Sequence, residues 1–265
     1  MEQLLIFVVT GAGAGVLAGL FGVGGGLIMV PALAFVLPHQ DVPAAVYMQV
    51  AIGTSLAVIS ATSISSTLAH HRRGGVDWTV FLRFAPGLAA GAVAGAFVAD
   101  LLSGDALRRI VGIGAVLVAL QMSLKREGVQ TAASGFKGAA IELLGAGGLI
   151  GLLSAIVGIG GGSLTVPYLS QRGLSMQRAV GTAAASGMPI AWAGAVGFVI
   201  AGWNADGVPA PHLGYVSLSA FAALAVASVA CAPLGARLAH AVSPKTLRRA
   251  FAALLMLVGL RMLWS

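Results

Sequence analysis

The chain has 265 residues, of which 58% are hydrophobic and only 9% are charged, and its mean hydropathy is +0.96. A soluble domain carries about 25% charged residues, so this balance excludes a water-soluble protein and leaves no length for a sizeable soluble domain. The net charge of +7 does not point to nucleic acid, because the Lys and Arg sit in short loops between apolar runs, where they orient a protein in the bilayer.

The N-terminus, Met1-Glu2-Gln3, is acidic at its start, which argues against a cleaved secretory signal. An apolar run from Leu4 to Phe21 follows, close to the ~20 residues that a spanning helix needs. It ends at Gly22-Val-Gly-Gly-Gly26. A short apolar piece, 27–37, comes next and carries Pro31. Longer apolar pieces cover 45–69, 79–102 and 109–123. The stretch from Lys125-Arg126-Glu127-Gly128 to Lys137 is polar and reads as a loop. Past it the pattern returns: 139–157, then Gly158-Ile-Gly-Gly-Gly162, a short 163–170 with Pro167, and finally 179–202, 214–240 and 249–264.

The recurrence is a duplication. Gly15 to Leu33 aligns without a gap on Gly151 to Leu169. Ile52-Gly53-Thr54 matches Val180-Gly181-Thr182, and Ala106-Leu107-Arg108-Arg109 matches Thr246-Leu247-Arg248-Arg249. The predicted organisation is a first membrane repeat at 1–123, a cytoplasmic linker at 124–138 and a second membrane repeat at 139–265. The predicted fold class is all-α and polytopic, with a glycine-broken helix in each repeat.

Topology turns on the short pieces. If each belongs to the span before it, the repeats are parallel, and the fifteen Lys and Arg divide seven against eight. If each crosses back, every half has five passes and the repeats are inverted. The charges then divide twelve against three, with only Arg108, Arg109 and Arg261 outside. The positive-inside bias favours inverted repeats with both termini outside.

Three consecutive glycines go beyond what helix packing requires. Each costs roughly 1 kcal/mol against Ala in a helix, and unwound backbone at membrane depth must line a cavity or be buried in protein. The helix that resumes has free N–H groups pointing back at the break, an arrangement that favours an anion. Other small-residue series (Gly11, Gly13, Gly15, Gly19; Gly87, Gly91, Gly95) read as close helix packing. Neither glycine run is a nucleotide loop: no Gly-Lys-Ser/Thr follows, and no strand precedes.

Among polar residues inside the apolar pieces, Thr54 and Thr182 stand out because they are duplicated. Neutral hydroxyls suit the oxygens of a sulfite or sulfonate and add no fixed charge that would trap it. Asp100 and Glu142 lie near helix ends. His70-His71-Arg72-Arg73 reads as a topology anchor, and Trp78, Trp203 and Trp264 as interface anchors. Cys231 is the single cysteine, so no intrachain disulfide can form. No Ser-His or His-x-x-x-His constellation on helical spacing lies within the spans, so no catalytic residue, metal or cofactor is expected.

Two Gly-x-Gly-Gly-Gly-x-x-x-x-Pro motifs half a chain apart, with Gly53-Thr54-Ser55 and Gly181-Thr182, resemble the TauE/SafE family of sulfite and organosulfonate exporters (DUF81-type membrane permeases). The resemblance covers essentially the whole chain. It implies a permease of a bacterial-type inner membrane that exports small anions such as sulfite, sulfoacetate or related C2 sulfonates. One departure is that Thr54-Ser55 faces Thr182-Ala183, so the two half-sites are not chemically equal.

The expected mechanism is alternating access by rocking of the repeats. The backbone N–H groups of Gly24, Gly25, Gly26 and Leu27, and of Gly160, Gly161, Gly162 and Ser163, are expected to bind the anion. Gln49, Thr54, Ser55 and Thr182 are expected to complete its shell. The alternatives are an anion channel built from the same dipoles and a non-transporting membrane partner subunit. Expected partners are a small anionic substrate and membrane lipid, with no nucleic acid; the sequence leaves oligomeric state open.

Overall fold

The structure is a computed structural model that describes residues 2–21, 26–40, 42–124, 139–208, 210–241 and 244–264. The described chain is helical almost throughout. Its α-helices are α1 (Glu2–Phe21), α2 (Gly26–Val36), α3 (Tyr47–Arg72), α4 (Trp78–Asp100), α5 (Gly104–Leu124), α6 (Ala140–Val157), α7 (Gly162–Gln171), α8 (Met176–Ala201), α9 (Leu218–Ala241) and α10 (Pro244–Trp264). A 3-10 turn, Leu37–Gln40, follows α2. The only sheet among the described residues is an antiparallel pair just ahead of α9, β1 (His212–Leu213) and β2 (Val216–Ser217). Helices α3, α4, α5, α6 and α8 are each long and apolar enough to cross a membrane, and the chain is a multi-pass membrane protein.

Small residues decide which helices pair. A Cβ added at Gly87 or Gly91 of α4 would overlap the carbonyl oxygen of Leu144 or Gly148 of α6, and one at Gly95 would lie 2.6 Å from Leu152 O. From the other side, a Cβ at Gly151 would overlap Leu88 O. The backbones therefore touch, which only glycine permits. The α1–α9 pair uses the same device at Gly11 against Leu224 and Gly15 against Ser228, whereas Gly13 faces open space. Further pairs are α4 with α8, α3 with α8, and α5 with α10. The two halves thus interleave: α1 packs on α9, and α6 packs on α4.

Contact order along each pair gives its direction. Gly87, Gly91 and Gly95 meet Leu144, Gly148 and Leu152 in rising order, so α4 and α6 are parallel. Gly194 and Gly197 of α8 meet Ala92 and Ala96 of α4, so those helices are parallel too. It follows that α6 and α8 point the same way, and residues 158–175 must carry the chain back between them. Helix α3 runs against α8: Gly53 meets Phe198, Leu56 meets Gly194, and Thr67 Oγ1 donates to Ala184 O (3.3 Å). Helix α5 likewise runs against α10, with Gly112 against Leu263 and Gly259 against Val116.

These directions sort the loops. At one end of the bundle, Gly75 packs on Gly181, and Arg178 pairs with Asp77 (3.4 Å). Arg72, Arg73 and Arg172 lie at that end. Asp77 also caps α4 by accepting the Val80 N–H (3.1 Å). At the other end, Gln49 Nε2 donates to Leu102 O (2.9 Å), just past α4, and to Ala99 O (3.5 Å) in its last turn. Arg108 and Arg109 lie in the helix that starts there. The Arg261 guanidinium sits 4.6 Å over the Phe35 ring. Both chain termini fall at this second end: α1 starts beside the start of α9, and α10 finishes three residues past Arg261.

Candidate functional site

The second glycine run does break its helix. Gly158 ends α6 in the left-handed region (φ +74°), where an ordinary L-residue costs roughly 1–2 kcal/mol. Its N–H donates to Ala155 O (3.2 Å), and the Ile159 N–H donates to Ser154 O (2.9 Å), the usual way of closing a helix on a left-handed glycine. Gly161 is again left-handed (φ +75°) and caps α7: its carbonyl accepts from the Leu164 (3.1 Å) and Thr165 (2.8 Å) N–H groups. The Gly162 and Ser163 amides, in the first turn of α7, have no acceptor within the helix. Pro167 brings no N–H to Ser163 O, so the first turn of α7 also keeps a carbonyl without its helical donor.

This break lies half-way along the central helices. A Cβ on Gly158 would touch Ile52 of α3 (3.3 Å), and one on Gly161 would meet Ile190 of α8. Gly187 sits by Gly160 O (3.1 Å). The start of α2 arrives at the same place: a Cβ on Gly26 would lie 2.5 Å from Gly158 O and 3.2 Å from Ile159 Cα. The end of the first glycine motif therefore rests on the second. Gly24 and Gly25 lie outside the described residues.

Three hydroxyls surround the second break. Ser55 Oγ reaches across from α3 and donates to Gly158 O (3.1 Å), so its one proton holds the break in shape. Ser154 Oγ and Thr165 Oγ1 are fully buried and have no hydrogen-bond partner. They lie 3.6 and 3.5 Å from the Cβ position of Gly161, on either side of it in sequence. A buried unsatisfied hydroxyl costs about 1–3 kcal/mol, and two such groups stand at this point. The groups against this break are backbone, hydroxyl and hydrocarbon.

The remaining sequence-predicted residues have partners elsewhere. Thr54 Oγ1 accepts the Ser217 N–H (3.0 Å), and Thr182 Oγ1 accepts the Asp77 N–H (2.9 Å). These are equivalent bonds in the two halves, each pinning the loop before a helix of the other half. Gln49 is committed to the end of α4. Leu27 is buried beyond Gly26, packed with Ile159 and Leu255. Of the acidic groups, Asp100 accepts the Tyr215 hydroxyl (2.6 Å). Glu142 pairs with Arg172 and accepts the Tyr168 hydroxyl (3.3 Å). Among the described residues no group of three or more His, Cys, Asp or Glu comes together to hold a metal.

Ser154 and Thr165 escaped the sequence reading, which gave weight to duplicated hydroxyls. The opposite comparison finds them. They stand where the first copy has Ala18 and Met29, and Ser163 stands where it has Leu27. A cavity of about 510 Å³ begins at Leu27 and Ile28 and extends past Phe35 to Tyr47, Arg108 and Arg261. It joins the level of the break to the end of the bundle that holds the termini.

The family model for the sulfite exporter TauE/SafE matches residues 7–262. The chain belongs to the TauE/SafE family. A "probable membrane transporter protein" of Haemophilus influenzae is 35% identical over 265 residues, covering 98% of this chain and 97% of that one. A second, from Methanocaldococcus jannaschii, is 27% identical over 261 residues, covering 98% and 95%. A third, from Bacillus subtilis, is 34% identical over 188 residues, covering 63% and 67%. No solved structure matches the chain. Membership in the family makes the protein a membrane transporter with a small-molecule substrate.

Proposed function

We propose that the protein exports a small sulfur-containing anion, such as sulfite or a C2 sulfonate, by alternating access, with the anion bound where the broken helices meet. The observation that carries this reading is the second break itself. It presents free amide N–H groups and hydroxyls half-way along the central helices, in contact with the start of α2, and none of the described residues against it is a cation that would trap the ligand. Gly26, Leu27 and Gly160 to Ser163 bound the site, and Ser55 holds the Gly158 carbonyl beside it, whereas Gln49, Thr54 and Thr182 brace the ends of the helices around it. Arg108, paired with Asp105 (3.4 Å), and Arg261 line the outer part of the cavity. Efflux of an anion from a negative-inside cell gains about 2.3 kcal/mol per charge per 100 mV, so uniport suffices. Purified protein in liposomes loaded with sulfite is expected to release it, faster when unlabelled sulfite is present outside. Release without such counterflow, accompanied by single-channel current, would assign a pore.

The same reading takes the halves as inverted repeats. Helices α3 and α8, which are counterparts, run antiparallel, as do α5 and α10; a two-fold axis in the membrane plane produces that relation, and one along the membrane normal does not. With Arg72, Arg73, Arg172 and Arg178 at the cytoplasmic end, both termini lie outside. A periplasm-active reporter fused after Ser265 should therefore be active. Activity only from a cytoplasm-dependent reporter would overturn this orientation.

A further inference from the structure

We propose that the anion is held at one of the two breaks only, the second, and that Ser154 and Thr165 are its side-chain ligands. This rests on the reading that a helix break binds the transported anion, and it says which break and by what groups. The duplicated backbone suggests two equivalent half-sites. The side chains do not support equivalence. Around the second break stand Ser55, Ser154 and Thr165, with Ser163 in the first turn of α7 itself. Their counterparts in the other copy are Ala183, Ala18, Met29 and Leu27. Every hydroxyl of one set is matched by hydrocarbon in the other, and Ser55 is recruited across the repeat boundary to the polar side.

The chemistry follows from the donors. Ser154 Oγ and Thr165 Oγ1 are buried, unpartnered and directed at Gly161. The Gly162 and Ser163 amides follow Gly161 directly, in the first turn of α7, and have no acceptor within the helix. Two hydroxyls and two amides offer four neutral donors, a set that fits an oxyanion with several acceptor oxygens on one centre. Hydrogen bonds to a charged acceptor are about twice as strong as neutral ones, so the site holds the anion by oriented dipoles and lets it leave. Ser55 is a positioning residue: its proton goes to Gly158 O, and it acts by shaping the break. On the other copy's side, Met29 is fully buried and Leu27 nearly so in α2, and neither side chain offers a donor that competes for the ligand.

The test is sulfite binding to the purified full-length protein by calorimetry, with thermal unfolding as a check on folding. The expected stoichiometry is one sulfite per chain. Ser154→Ala and Thr165→Val should each weaken binding about tenfold, and together about a hundredfold, while Thr165→Ser restores most of the affinity. Met29→Leu, at the counterpart position, should leave affinity unchanged. Two sulfites per chain, or a Ser154→Ala/Thr165→Val double variant that folds and binds like the parent, would sink the single-break assignment and leave the transport reading standing. A parent protein that binds no sulfite would overturn both.

Discussion

Gly161→Leu is expected to abolish sulfite flux, by at least about a hundredfold, in a protein that still inserts. Three effects coincide at this residue. Its backbone is left-handed (φ +75°), which costs an L-residue roughly 1–2 kcal/mol. Its Cβ would press on the tip of Ile190, a side chain that can yield, so the fold survives. The rest of the leucine would occupy the space faced by the Ser154 and Thr165 hydroxyls and by the first amides of α7. The measurement is sulfite efflux from liposomes at matched protein incorporation. Gly13→Leu is the control: Gly13 is exposed with nothing within 4 Å of a Cβ, and flux should match the parent. Parent-like flux from Gly161→Leu would remove the second break from the transport path.

Gly91→Leu is expected to destroy the fold rather than the site. The atom in the way is the carbonyl oxygen of Gly148, part of a helix backbone that cannot rotate aside. Relieving the overlap means separating α4 from α6, which also undoes the contacts at Gly87, Gly95, Gly147 and Gly151. Overpacking typically costs 1–3 kcal/mol and sometimes more, out of a total stability of about 5–15 kcal/mol. The expected result is a melting temperature lower by about 10 °C or aggregation on detergent extraction, read by thermal unfolding and size-exclusion chromatography. An unchanged melting temperature would mean that the α4–α6 contact does not hold the bundle together.

Much of the architecture was legible before any coordinates. A 58% hydrophobic chain with 9% charge has to sit in a bilayer, and within one each backbone bond is best satisfied by helix. The Gly87, Gly91, Gly95 series announced a close helix contact, though not its partner. Two glycine runs at matched positions announced two helix interruptions, and the described one is built from left-handed Gly158 and Gly161 as a run of glycines allows. The candidate site was only half legible. Thr54 and Thr182 drew attention by being duplicated, and each accepts a loop amide from the other half, at Ser217 and Asp77. A hydroxyl looks the same in a sequence whether it awaits a ligand or pins a loop. Ser154 and Thr165 were passed over because they are not duplicated, and that is the property that sets one break apart from the other.

What the sequence determined by itself was local: where apolar length forms a helix, where glycine ends one, and where charge cannot enter the bilayer. Each of these depends on a residue and its near neighbours. The tertiary structure decided everything that depends on interleaving. It laid α1 on α9 and α6 on α4, turned α3 against α8, carried Ser55 to Gly158 and Gly26 to the same carbonyl, and left Ser154 and Thr165 buried without partners. Those contacts join residues far apart in the chain, and they follow from which small-residue faces fit together, a property of packed surfaces that periodicity and spacing do not encode.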